Sequence, residues 1–144
     1  MNSYVLDASV AAKWSLPSAN EPYTEHAATL LNRYVQGEVR FVVPDLFWAE
    51  LANVFWKAAR QGRWSRSDAE TAIRSAVQRE IPTVSARSLI EDALEIAATF
   101  DRSVYDSLYL ALAIASRMYF VTADERLANA LAAQLPVKWL PTLM

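Results

Sequence analysis

From Leu108 to Ala115 every residue is apolar or tyrosine: Leu-Tyr-Leu-Ala-Leu-Ala-Ile-Ala. A helix of this composition has no wet face, so the rest of the chain is expected to cover it on all sides. Asp106 nevertheless stands in its first turn. A buried, unpaired carboxylate costs several kcal/mol or shifts its pKa. One ordinary explanation is at hand, because Ser103 and Asp106 fit the S-x-x-D capping box that satisfies free backbone N–H groups and the helix dipole. Judged alone, that explanation is preferred; it weakens only if other acids converge on the same place.

The composition closes several chemical routes. With no Cys, the chain has no disulfide, thiol or Cys-based zinc chemistry, which fits a reducing cytoplasm. The single His26 excludes H-E-x-x-H sites, and no G-x-S-x-G elbow exists for a Ser-His-Asp triad. His26, in Tyr23-Thr-Glu-His26, reads as a surface helix residue. Hydrolytic chemistry in this chain would therefore rest on carboxylates, which act on phosphodiesters best through a metal ion. A net charge of −2 argues against general polyanion binding, though a local basic patch is compatible with it. No basic n-region opens the sequence and no run approaches the ~20 apolar residues that span a bilayer, so no membrane partner is expected and the protein is read as cytoplasmic. At 144 residues the chain is read as one domain, 1–144, burying roughly 70% of its unfolded surface.

Strands alternate with helices along the chain. Tyr4–Leu6 is a short buried strand stopping at Asp7, which either lies at a ligand site or, with Ser9, caps the helix that follows. The segment 24–36 has helical spacing and ends at Gly37. Phe41–Pro44 is a second strand, and Asp45 opens a helix to about Arg60, ahead of Gly62. Within that helix Glu50 reads most commonly as a solvated second-turn residue, although its neighbours Trp48, Ala49, Leu51 and Ala52 leave it little polar company. Lys57, Arg60, Arg63 and Arg66 cluster around its end with Trp56 and Trp64 interleaved; this reads mainly as a solvated helix end, with an RNA-backbone patch as the minority reading. Ser67-Asp-Ala-Glu70 fits a capping box for a helix through Arg79, Ile81–Val84 a third strand, and Ser88-Leu-Ile-Glu91 a further helix start. That helix carries Leu89, Ala93, Ile96, Ala97 and Phe100 inward. Met118–Val121, a short helix over 125–133, and Val137–Leu140 complete the series.

This order implies an α/β domain with a parallel central sheet. Asp7 and Asp124 leave the carboxyl ends of strands, and Glu50 and Asp106 lie early in helices, so all four can meet at one edge of the sheet. Carboxylates ~5 Å apart repel by roughly 3 kcal/mol per pair at an effective dielectric near 20. Such a group either takes protons or holds a cation, and oxygen-only ligands suit Mg²⁺ or Mn²⁺.

Four segments, Val5-Leu-Asp-Ala-Ser9, Pro44-Asp-Leu-Phe-Trp-Ala-Glu50, Tyr105-Asp-Ser-Leu-Tyr-Leu-Ala-Leu-Ala113 and Val121-Thr-Ala-Asp-Glu-Arg-Leu127, resemble the successive motifs of PIN-domain ribonucleases, specifically the VapC toxins of VapBC toxin–antitoxin pairs. The resemblance runs over nearly the whole chain in order. It implies an α/β/α sandwich with a five-stranded sheet of order 3-2-1-4-5, and an endoribonuclease using Mg²⁺ or Mn²⁺. It puts the acidic quartet on Asp7, Glu50, Asp106 and Asp124, with Asp7, Asp106 and Asp124 toward the metal, and supporting hydroxyls on Ser9 and Thr122. It also implies an RNA substrate, a homodimer and a cognate VapB-like antitoxin. After Asp124 only Glu125 and Asn129 offer polar atoms, which leaves a second metal position open. Lys13, Arg60, Arg63 and Arg66 are candidate RNA-backbone contacts.

Two rivals are weighed. A phosphoacceptor receiver domain needs paired acids after the first strand and an Asp after the third, whereas Asp7 stands alone and Val84 is followed by Ser-Ala-Arg. A non-catalytic module would use the same acidic pocket to receive an arginine from a partner chain.

Overall fold

The computed structural model describes residues 2–143. Its strands are β1 (Asn2–Leu6), β2 (Val39–Pro44), β3 (Thr83–Val84), β4 (Tyr119–Thr122) and β5 (Val137–Trp139). They form one five-stranded sheet in the order β3-β2-β1-β4-β5, with every pairing parallel. The helices are α1 (Ala8–Ala11), α2 (Thr24–Val35), α3 (Leu46–Arg60), α4 (Arg66–Val77), α5 (Ala86–Phe100), α6 (Val104–Ser116) and α7 (Glu125–Leu131). The order is the one that the resemblance implies.

The central strands are buried because both faces of a parallel sheet carry helices. Val5, Leu6, Val43 and Val121 are fully enclosed. In α6 the residues from Ser107 to Ala113 are all buried, and the helix packs on β1, β2, β4 and α5. The expectation that α6 is covered on every side fails in its last turn, where Ile114 is 47% exposed and Ala115 is also exposed. Hydrophobicity drives burial of most of this helix, but it does not fix how far its covering elements extend.

The helix starts differ from the expected capping residues in three places. The capping box of α4 is Ser65 with Asp68, two residues upstream of the Ser67–Glu70 pair: the Ser65 hydroxyl accepts from the Asp68 N–H at 3.0 Å and the Asp68 carboxylate accepts from the Ser65 N–H. Helix α5 is capped by Ser85, not Ser88, and the Ser88 hydroxyl donates to the Ser85 carbonyl. Asp45 makes no side-chain cap on its own helix, and its Oδ1 instead accepts from the Ala86 N–H at 3.0 Å, tying the start of α3 to the start of α5. Gly37 and Gly62 stop helices as expected, each at a positive φ that favours glycine. His26 is not a plain surface residue; it is half-buried edge-on to Tyr23, with Nδ1 enclosed.

This topology delivers four chain segments to one edge. The residues that follow β1 and β4 emerge there side by side, α3 begins there directly after β2, and α6 begins there because it runs back along the sheet before β4.

Candidate active site

Asp7 is the inner member of the acidic group. Although it occupies the N-cap position of α1, its carboxylate makes no cap bond, which removes the capping explanation for it. Oδ2 instead accepts from the Thr122 hydroxyl at 2.6 Å and the Ser9 hydroxyl at 2.8 Å. Each hydroxyl has a second bond: Thr122 Oγ1 accepts from the Asp124 N–H at 3.0 Å, and Ser9 Oγ accepts from the Ala123 N–H at 3.1 Å. The two hydroxyls thus clamp one carboxylate oxygen to the turn after β4. Burial pushes the Asp7 carboxyl above its ordinary value, the Thr122 and Ser9 bonds oppose the rise, and the charge of Asp106 adds to it.

Glu50, in the second turn of α3, is also raised, first by burial and then by the charges of Asp7 and Asp106. Opposing this, the Tyr109 hydroxyl donates to Glu50 Oε1 at 2.5 Å. Tyr109 is the functional neighbour that sequence reading missed. Its signal was available: a buried phenol needs a hydrogen-bond partner, and Tyr109 lies three residues past Asp106, on the same helix face.

At Asp106 only half of the capping box forms. The Ser103 hydroxyl accepts from the Asp106 N–H at 3.0 Å, but the reciprocal bond from the carboxylate to the Ser103 N–H, present in α4, is missing here. The cap therefore leaves this carboxylate free to face the other acids. Burial raises its pKa, Arg102 and Ser103 lower it, and the charge of Asp124 raises it. Asp124 is exposed and does cap its helix, Oδ1 accepting from the Leu127 N–H at 3.1 Å.

Asp7, Glu50 and Asp106 each feel the charge of at least one other acid of the four. The four do not form a closed cage: among the described residues no three acidic or histidine side chains constitute a group able to hold a metal ion as they stand. An open arrangement suits Mg²⁺, which is ordinarily held by one or two carboxylates together with water and substrate phosphate oxygens. The donor set is all oxygen, and the charged form of its innermost member is already supported by two hydroxyls.

The candidate RNA contacts divide. Lys13 is 8% exposed, its Nζ donating to Glu21 Oε2 and the Pro22 carbonyl, both at 2.7 Å. Arg63 donates to Glu21 Oε1 at 3.1 Å. Both cations pair with Glu21 in the loop before α2, Lys13 from an enclosed position and Arg63 from a partly exposed one. Arg66 is exposed beside Glu70 of its own helix, at 2.8 Å. Arg60, Lys57 and Trp56 are exposed, the last by 51%, whereas Trp64 packs edge-on to Phe55 and donates to its carbonyl.

Comparison with known proteins agrees with this architecture. The PIN domain profile matches residues 4–131. Ribonuclease VapC9 of Mycobacterium tuberculosis is 32% identical over 118 residues, covering 79% of this chain and 91% of the relative. Among solved structures, PAE2754 from Pyrobaculum aerophilum superposes with a TM-score of 0.71 at 22% identity, over 99% of this chain and 86% of the other. A toxin–antitoxin complex from Klebsiella pneumoniae superposes with a TM-score of 0.63 at 15% identity, over 94% and 95%. The fold order, the segments that meet at the sheet edge and the profile match lead to one statement: the chain belongs to the PIN domain family and is related to its VapC ribonucleases.

Proposed function

We propose that this protein is a metal-dependent endoribonuclease, the cytoplasmic toxin of a type II toxin–antitoxin pair, acting through Asp7, Glu50, Asp106 and Asp124. The observation that carries the reading is the Asp7 carboxylate, clamped through one oxygen by Ser9 and Thr122 at the edge where the other three acids gather. Nothing in the fold needs a charge there, and its burial opposes ionisation. Asp7, Asp106 and Asp124 would hold Mg²⁺ or Mn²⁺, which when bound stabilises negative charge on a phosphodiester and makes water more acidic.

The chain's own residues have distinct tasks. Ser9 and Thr122 keep Asp7 ionised and oriented. Glu50, whose carboxyl is raised by burial and by the charges of Asp7 and Asp106, accepts the proton of the attacking water. The water oxygen bonds to phosphorus as the bond to the 3′-oxygen breaks, and the leaving 3′-oxygen takes a proton from solvent, giving 5′-phosphate and 3′-hydroxyl ends. Arg60, with Lys57 and Trp56, offers an exposed basic and aromatic surface for the RNA backbone. A VapB-like antitoxin as partner is supported by the likeness to the Klebsiella toxin–antitoxin complex. A homodimer is supported by Ile90, Leu94 and Ile114, which are 43%, 61% and 47% exposed on α5 and α6.

The test is RNA cleavage by purified wild type and Asp7→Asn with Mg²⁺ or Mn²⁺. Loss of cleavage in a folded variant is expected; wild-type cleavage by Asp7→Asn would refute the assignment. If no wild-type cleavage occurs but an arginine-bearing partner peptide binds, the acidic pocket is instead a docking site.

A further inference from the structure

Tyr109 lies in the middle of the most apolar helix of the chain and is 2% exposed. Its ring stacks on Phe120 of β4 with centroids 4.9 Å apart and planes 21° apart, so packing fixes its direction. Glu50 is the opposite case. It is half-buried on a neighbouring helix, with three side-chain torsions whose freedom would otherwise scatter its carboxylate. The 2.5 Å bond from the Tyr109 hydroxyl to Glu50 Oε1 therefore joins a fixed group to an adjustable one. Because Tyr109 is one turn beyond Asp106 on α6, the same helix face carries Asp106 directly and holds Glu50 through that bond.

We infer that Tyr109 is a positioning residue: its hydroxyl holds Glu50 in a single rotamer and thereby sets the spacing between the Glu50 and Asp106 carboxylates. The inference rests on the ribonuclease reading and adds a residue to its machinery. A core tyrosine in need of a partner would explain the hydroxyl bond alone, but losing that bond would then lower stability and leave the kcat of the folded chain unchanged. That difference is measurable.

The experiment is a double-mutant cycle with wild type, Tyr109→Phe, Glu50→Ala and the double variant. Cleavage of short fluorogenic oligoribonucleotides of random sequence gives apparent kcat and KM, calorimetry gives Mn²⁺ affinity, and urea unfolding gives the midpoint. Tyr109→Phe keeps the ring and its stacking. We expect its kcat to fall about tenfold, about 1.4 kcal/mol, with KM and Mn²⁺ affinity within about twofold of wild type. On the Glu50→Ala background the same substitution should change neither kcat nor the unfolding midpoint. A Tyr109→Phe kcat within about twofold of wild type would overturn the inference, as would an equal tenfold loss on both backgrounds. So would a Tyr109→Phe chain that fails to fold while Glu50→Ala folds. If wild type cuts no RNA, the ribonuclease reading fails, and the unfolding cycle still decides the contact: a midpoint shift seen only when Glu50 is present supports it, and equal shifts overturn it.

Discussion

Replacing Thr122 by Val probes the clamp on Asp7 with little change of shape. Thr122 is fully buried, so the hydroxyl cannot be replaced by bulk water without opening the sheet edge. The substitution exchanges the hydroxyl for a methyl group of similar size and leaves no large cavity. Two bonds are lost: the one to Asp7 Oδ2 at 2.6 Å and the one from the Asp124 N–H at 3.0 Å. A hydrogen bond to a charged group contributes about 1.5–3 kcal/mol, and an abandoned backbone N–H adds about 1 kcal/mol where water can reach it. The expected loss is therefore about 2.5–4 kcal/mol at neutral pH. At about 4 °C per kcal/mol for a chain of this size, the melting temperature should drop by about 10–16 °C. Urea unfolding followed by tryptophan fluorescence measures it, with Ser9→Ala as the companion, since Ser9 makes the same pair of bonds. A Thr122→Val protein within about 0.5 kcal/mol of wild type, well below a bond to a charged group, would refute the clamp.

Further expectations follow from the same geometry. Asp7, Glu50 and Asp106 have folded pKa values raised above the ordinary 3.8, 4.5 and 3.8, so the native protein binds protons that the unfolded chain has already released. The stability tied to them is full below those ordinary values and is lost as pH rises through the raised ones. The metal-free protein should thus unfold at lower urea at pH ~8 than at pH ~5, and added Mg²⁺ should narrow the gap; a midpoint that rises steadily with pH would contradict this. Ser103→Ala should cost about 1 kcal/mol of stability by urea unfolding, because the Ser103 hydroxyl caps α6. Glu21→Ala strips Lys13 and Arg63 of their shared partner, and a loss of about 3 kcal/mol in the same assay is expected. If the proposed homodimer forms through the exposed face of α5, Leu94→Glu should leave monomers by light scattering and remove any dependence of the unfolding midpoint on protein concentration.

Much of the fold and the candidate site was legible because they rest on strong local signals. Asp7 ends a short apolar run, Asp106 opens a helix with no wet face, and each strand is bounded by a helix start or stop. Where several local solutions compete, the sequence is silent. Both Ser65–Asp68 and Ser67–Glu70 fit the same capping pattern, and only the packing of α4 against α3 selects the first. Tyr109 passed as core because an aromatic residue in an apolar helix normally is core; its hydroxyl partner comes from a residue 59 positions away. Lys13 read as a surface cation because its partner Glu21 lies in an irregular loop, where no periodicity reports contact. The exposed end of α6 escaped notice for a related reason: hydrophobicity says that a surface prefers cover, not that this chain supplies it.

The central claim is that the acids at the sheet edge form a metal-dependent nucleolytic site and do not serve only as helix caps. It is tested most directly by measuring RNA cleavage and Mn²⁺ binding together on wild type and Asp106→Asn. The account predicts that both are strongly reduced in the variant while its unfolding midpoint stays at or above that of wild type, because a raised, half-buried acid has been neutralised. Undiminished cleavage by Asp106→Asn, or a folded wild type that neither binds Mn²⁺ nor cuts RNA, would contradict it.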